Sequence, residues 1–351
     1  MTVRARPWLN RVHPYEPGRP SLNSDGSMAS NESPIGTSPE VAVAVSAALS
    51  GVHRYPDPLA DELRKELASQ HGVHPDQILV GNGSDELIYL LAWAFLAHGG
   101  RAVCADPPYR IDEISTFVVD ARLNKVPLKD WAHDLDAMSQ VEADVAYIVN
   151  PHNPTGTAHS RAEIEGFVEL SRAALVVVDE AYIDFTDDPE QTTVMPLARE
   201  GDVVVLRTLS KVYALAGLRV GYMVASRDVV TTLRKIRPPF SVGALAQAAA
   251  LAAVRDNAHR QRVRDHVLRL RGEVTCLVQQ AGYLAVPSQA NFVLVEVPDE
   301  LAFVAHLASH GIEVRPGSVL GLPGTVRISV PSDSGLALLR RALSSKPGKA
   351  R

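Results

Sequence analysis

Residues 203–222 read VVVLRTLSKVYALAGLRVGY. The run Val203, Val204, Val205 and Leu206 has the pattern of a strand buried on both faces, and a polar loop follows it. That loop holds Thr208, Ser210 and Lys211, with Arg219 a short way on. A lysine at the end of a buried strand can condense with an aldehyde, while two hydroxyls and a guanidinium hold a nearby phosphate. The same residues also describe an ordinary solvated lysine and a routine ion-pair arginine. What the other strands bring to the same place decides between the two.

Outward from this stretch, strands and helices alternate. Strand-like runs occur at 78–80 (ILV), 102–106 (AVCAD), 145–150 (VAYIVN) and 175–179 (LVVVD), with helical stretches from Asp85, after Tyr109 and over 160–172. This alternation predicts an α/β fold with a large domain whose mainly parallel sheet is covered by helices. Sites in such folds gather at the carboxyl ends of the strands. Those ends carry Gly83 and Ser84, Tyr109, Asn153, Asp179 with Tyr182, and Lys211.

Upstream, Pro7, Pro14, Pro17, Pro20 and Gly18 disfavour a helix and predict an extended arm over residues 1–30, lying on a partner or on a smaller domain. Ser38-Pro39 opens a short helix as cap and first-turn proline, HRYPDP at 53–58 interrupts, and a second helix spans 59–70. The large domain is expected over 31–240. After Pro238-Pro239 the pattern changes to a helix-rich stretch (243–281), strands NFVLVEV and TVRISV, and a helix at 299–310 between them. This predicts a smaller α+β domain over 241–351, ending in a frayed KPGKAR tail.

Bulk properties narrow the class. The 351 residues carry 35 Lys+Arg against 40 Asp+Glu, a net charge of −5 that argues against a general nucleic-acid surface. The basic run RQRVRDHVLRLR at 260–271 reads as a solvated helix face. Two cysteines, Cys104 and Cys276, offer neither a disulfide framework nor metal-ligand spacing, which fits a reducing cytoplasm and no metal. No apolar stretch approaches the ~20 residues of a membrane span.

The strand ends suggest a shared chemistry. The turn GNGSDE (81–86) exposes free N–H groups at a helix start, a phosphate cradle that lacks the third glycine of the dinucleotide fingerprint. Asp179 closes an apolar strand and requires a cationic partner, or a cap or salt bridge, because burying it alone is costly. A protonated pyridine nitrogen would be such a partner, and pyridoxal phosphate carries ring nitrogen, aldehyde and phosphate together. Tyr182 and Asn153 could reach the ring's phenolic oxygen, though NPTG is also a plain turn. Tyr109 could stack on the ring. Lys211 could shuttle a proton. Arg327 and Arg315 suit a carboxylate or phosphate, or the surface.

These motifs together resemble the fold-type I pyridoxal-phosphate aminotransferases and, within them, the histidinol-phosphate aminotransferases. The likeness runs from HPYEPG (13–18) through SNES (30–33), RYPD (54–57), GNGSDE, PPY (107–109), NPHNPTG (150–156), VVDEAY (177–182), RTLSKVYALAGLRVGY (207–222) and VRPG (314–317) to VRISV (326–330). The resemblance implies an aspartate aminotransferase-like fold with Lys211 bonded to the cofactor and Asp179 paired with its ring nitrogen. It implies phosphate contacts from Ser84, Thr208, Ser210 and Arg219, within a cofactor site that includes Gly83 and Asp85. It places Tyr109 on the ring, Asn153 and Tyr182 at the phenolic oxygen, and Tyr55 at the phosphate of the other subunit of a homodimer. Tyr15, Asn31, Arg315 and Arg327 would meet substrate.

The implied reaction transfers an amino group from histidinol phosphate to 2-oxoglutarate. Aromatic amino-acid transamination, a phosphothreonine-type decarboxylation and specialised metabolism are alternatives on the same cofactor, and a non-catalytic regulator is a reading of another kind. The chain departs from the family pattern in three places, at four residues. Asp112 replaces an aromatic, Ser241 and Gly243 replace an asparagine and a polar or small residue, and His152 precedes Asn153. The first two changes are expected near the substrate side chain, and His152 is expected to be neutral for function.

Overall fold

The computed structural model describes residues 4–18, 24–96 and 99–345; Pro20 and the KPGKAR tail lie outside them. The strands in chain order are β1 (Ser27–Met28), β2 (Ile78–Gly81), β3 (Arg101–Asp106), β4 (Arg122–Pro127), β5 (Ala143–Val149) and β6 (Ala173–Asp179). They continue with β7 (Val204–Thr208), β8 (Gly221–Val224), β9 (Leu284–Ala285), β10 (Phe292–Glu296), β11 (Glu313–Pro316) and β12 (Thr325–Ser329).

The larger sheet has the order β2-β8-β7-β6-β5-β3-β4. The neighbours from β7 to β4 run parallel, and only β8 runs against its neighbours β2 and β7. Alternation along β5 sends Val145 and Tyr147 into one apolar layer and Ala146 and Ile148 into the other, so helices cover both faces. The chain turns back after β7 because Leu209 N–H bonds Val220 O (2.9 Å), making 209–220 a folded loop over the strand's carboxyl end. Thr208 thus ends the strand, and Ser210, Lys211 and Arg219 belong to the loop.

The smaller sheet has the order β1-β11-β12-β10-β9. Helices Asn257–Gln280 and Asp333–Ser344 cover it; Val263, Val267, Leu270 and Val274 share one face of the first and meet Phe292 and Ile328. Two expectations change here. The helix Ala244–Arg255 buries Ala246, Ala249 and Ala253 in the core of the larger unit, although a boundary at 240/241 would put it in the smaller one. The basic run at 260–271 is an anchor, not a solvated face: Arg260 pairs with Asp184 (2.5 Å), Arg264 donates to Asp184 O and Thr186 O, and buried Arg271 donates to Phe185 O. The loop after β6 exposes backbone carbonyls and a carboxylate that these guanidiniums satisfy.

The N-terminal arm lies on its own chain. Trp8 Nε1 donates to Val118 O (3.1 Å), Arg11 pairs with Asp120, and Arg315 donates to Glu16 O. Among the described residues no helix is long and apolar enough to cross a membrane, and no cluster of His, Cys, Asp and Glu could hold a metal ion.

Candidate active site

One cavity of about 240 Å³ opens at the carboxyl ends of β5, β6 and β7 and is closed by β11 and β12. Every residue that the resemblance assigns to cofactor or substrate lines it except Gly83 and Tyr55. Lys211 reaches in from the β7–β8 loop, its Nζ donating to Asn31 O (3.2 Å) and Ser30 O (3.4 Å). Burial, reinforced by the Arg327 charge, lowers its ammonium to about 8. The amine is therefore far closer to its nucleophilic, neutral form than a surface lysine.

Asp179 stands at the last position of β6, buried, with Oδ1 accepting from the Ala181 amide at 2.9 Å. Burial pushes its carboxyl up to about 7; Asp85 and Glu180 add to the rise, and the Ala181 bond and Lys211 oppose it. A single amide does not satisfy a buried carboxylate, so a cationic group is the partner its chemistry calls for.

The anion cradle is built where the helix Gly83–Phe95 meets the β7–β8 loop. Gly83 has φ +74°, a left-handed conformation, and a Cβ there would lie 2.6 Å from Arg219 Nη2. Gly83 thus lets the guanidinium approach, although it does not itself line the cavity. Thr208 Oγ1 donates to Ser210 Oγ (2.9 Å), and Arg219 Nη1 donates to Ser210 Oγ (3.4 Å). Asp85 pairs with Arg219 (3.1 Å) and accepts from the Tyr109 hydroxyl (2.9 Å). Hydroxyls, a guanidinium and the first N–H groups of a helix are donors that could hold a phosphate.

On the opposite wall, Asn31 acts as a hub with φ 55°. Its Nδ2 donates to Tyr182 OH (3.1 Å), its Oδ1 accepts from Ser329 Oγ (2.8 Å), and Asn291 Nδ2 donates to its carbonyl (3.0 Å). Arg327 donates to Asn153 Oδ1 (2.5 Å) and to Ala29 O (2.9 Å). Arg315 lies opposite Arg327 in the β11–β12 register and over the ring of Tyr15. Ser30, Glu32 and Gly18 also line the cavity, although the sequence reading assigns them no role in the site. Asn291 and Ser329, which fix Asn31, were missed as well; lying in runs that read as strand, they carry no local signal.

Other expectations fall elsewhere. Tyr55 is 82% exposed and stacks on Phe240 at 4.6 Å, outside the cavity. Asp112 does not face a substrate. It is buried within helix Arg110–Val118 with Oδ2 unpaired, and burial, then Asp179 and Asp85, holds its carboxyl well above the usual range. Ser241 bonds Glu86, and neither it nor Gly243 lines the cavity.

A reactive lysine, a buried acid across from it and a phosphate cradle at one end are the three grips that pyridoxal phosphate needs, and this two-sheet architecture is that of the aspartate aminotransferase-like enzymes. The model of the family "Aminotransferase class I and II" matches residues 27–344, and the chain belongs to that family. Its cofactor is pyridoxal 5′-phosphate. The chain is 38% identical over 330 residues to the histidinol-phosphate aminotransferase of Brevibacillus brevis, covering 90% of this chain and 91% of that one. It is 36% identical over 363 residues to the enzyme of the same description from Halalkalibacterium halodurans, covering 98% of each. The crystal structure of histidinol-phosphate aminotransferase from Sinorhizobium meliloti, in complex with pyridoxal-5′-phosphate, is 28% identical with a TM-score of 0.89, covering 98% of this chain and 97% of that one.

Proposed function

We propose that this chain is a transaminase that exchanges an amino group between histidinol phosphate and 2-oxoglutarate, giving imidazole acetol phosphate and glutamate. One observation carries the reading: a lysine with a depressed pKa, a buried acid bonded to a single amide and two arginines on paired strands open onto one cavity. The relatives named above support the choice of donor. Arg315 and Arg327 together suit the phosphate of such a donor and the carboxylate of the acceptor.

Bound pyridoxal phosphate supplies the aldehyde that takes up the donor's amino group and a ring that withdraws electrons from the bond being broken. Asp179 would hold the ring nitrogen in its protonated form, where its own preference for a cation is met. Tyr182 and Asn153 donate to the phenolic oxygen. Tyr109 covers the ring, while Ser84, Thr208, Ser210 and Arg219, with Gly83 and Asp85 shaping the turn, hold the phosphate. Lys211 Nζ would take the proton from donor Cα as a base and give it back as its conjugate acid. Tyr15 and Asn31 close the substrate end and exclude water.

The site is shared in this reading. Tyr55, exposed and outside its own cavity, would reach the phosphate in a second copy of the chain. We read the fold as an arm, a cofactor-binding domain and a small C-terminal domain, with the helix Ala244–Arg255 counted in the second. The two free cysteines, one of them exposed, support a cytoplasmic setting. A donor screen tests the reaction: with 2-oxoglutarate present, histidinol phosphate should give glutamate faster than phenylalanine, tyrosine or phosphothreonine. Faster turnover of an aromatic amino acid, or carbon dioxide release, would replace the reading.

A further inference from the structure

We infer that His152 is a positioning residue, tying the loop that carries Tyr109 to the loop that carries Asn153 and so setting the gap in which the cofactor ring lies. The inference rests on the assignment of those two residues as cofactor contacts.

The two loops need a tie because the sheet does not supply one. The paired residues of β3 and β5 are Ala102↔Val145 and Val103↔Ala146, so the ladder stops before either strand ends. Beyond that point the chains run on to Pro107-Pro108-Tyr109 and to Asn150-Pro151-His152-Asn153. His152, 1% exposed, fills the opening. Its Nε2 lies 3.3 Å from Pro107 O and its Nδ1 2.9 Å from Thr155 Oγ1.

The tautomer follows from the partners. A carbonyl can only accept, so Nε2 carries the hydrogen, and the Thr155 hydroxyl then donates to Nδ1. One proton serves both contacts, and the ring does its work neutral. Burial keeps it so, pushing the imidazole down to about 4.

The surroundings leave the ring little freedom. His133 meets it edge-on with centroids 4.6 Å apart, and His133 Nε2 in turn accepts from the amide of Val149, the last residue of β5 (3.4 Å). The backbone of His152 is spent within its own loop, N–H to Thr157 O (2.8 Å) and O from Gly156 N (2.7 Å). The side chain is therefore what reaches across to the loop of Tyr109. Its neighbour Asn153 is held by Arg327 from the other side, so a slack His152 would let the amide follow the arginine and leave the ring.

Three variants separate tie from filler. His152→Gln keeps an N–H near the Nε2 position, His152→Asn reaches only Thr155, and His152→Phe keeps the bulk with neither bond. With pyridoxal phosphate bound, the pH at which the cofactor changes colour reads the contacts at its phenolic oxygen. In His152→Phe and His152→Asn that midpoint should rise by about one pH unit, because a lost hydrogen bond no longer favours the ionised oxygen. Their kcat should fall about tenfold or more with KM for the donor changed less than about twofold. His152→Gln should restore both. Should His152→Phe fail to fold, the Asn and Gln pair still decides.

Equal midpoints in all four proteins, or a Gln variant as impaired as Asn, would overturn the inference. So would losses that merely follow the melting temperature of the cofactor-free protein. A wild type that takes up no colour, or a Lys211→Ala variant that does, would instead remove the site assignment and this inference with it.

Discussion

Replacing Asp179 with Asn should stabilise the cofactor-free protein at alkaline pH while destroying most of its activity. In the unfolded chain this carboxyl ionises near its ordinary value of 3.8, whereas in the empty fold it keeps its proton to about 7. Between those values the folded state binds the extra proton, so the stability of the empty protein falls as pH rises and the loss is complete above 7. At about 1.4 kcal/mol per pH unit the whole interval corresponds to roughly 4 kcal/mol, of which about 3 lies between pH 5 and pH 8. Asn does not titrate. Urea unfolding of cofactor-free wild type and D179N at pH 5 and pH 8 should therefore show the variant gaining about 3 kcal/mol on wild type across that interval.

Saturating pyridoxal phosphate should erase the wild type's alkaline deficit. The catalytic side has its own magnitude. A contact of ~4 Å at an effective dielectric near 20 is about 4 kcal/mol, so D179N should lose on the order of a thousandfold in kcat/KM. If the two proteins differ by the same amount at pH 5 and pH 8, Asp179 is already ionised and satisfied in the empty fold. The argument for a cationic ring beside it then fails, as it would if D179N kept activity within tenfold.

The remaining predictions concern the amine and the proposed sharing of the site between two copies. Acylation of the cofactor-free protein at Lys211 should reach half its maximal rate near pH 8, the value to which burial lowers the ammonium, and the midpoint should rise in R327A; a midpoint at the ordinary 10.5 would show a solvated lysine. Mixed dimers of K211A with Y55A should regain activity that neither parent has, because one of their two sites is intact. No recovery would show that Tyr55 serves its own chain or no site at all.

The site was more legible than its supports. Lys211, Asp179 and Arg219 each stand at a strand end or in a strand-following loop, where an apolar run breaks into polar residues, and that break is visible in one dimension. β4 (RLNKVP) is an exposed edge strand without an apolar alternation, and β8 begins inside a glycine-rich run, so neither announces itself. The arginines of 260–271 read as solvated because their partners, Asp184 and the carbonyls after it, are distant in sequence. Asp112 misled for a related reason. Its place after Tyr109 suggested a substrate contact, yet the helix turns it inward.

The parallel pairing of β1 with β11 has a consequence for biosynthesis. Met28 is aligned with Val314, 286 positions later (314 − 28). A ribosome making this protein releases the two-residue strand long before its neighbour. The strand and Asn31 just beyond it must wait, unpaired, while the larger sheet forms. Arg315 and Arg327 emerge only after the same long interval, so the cavity wall they form and its border at Asn31 are completed in one late event.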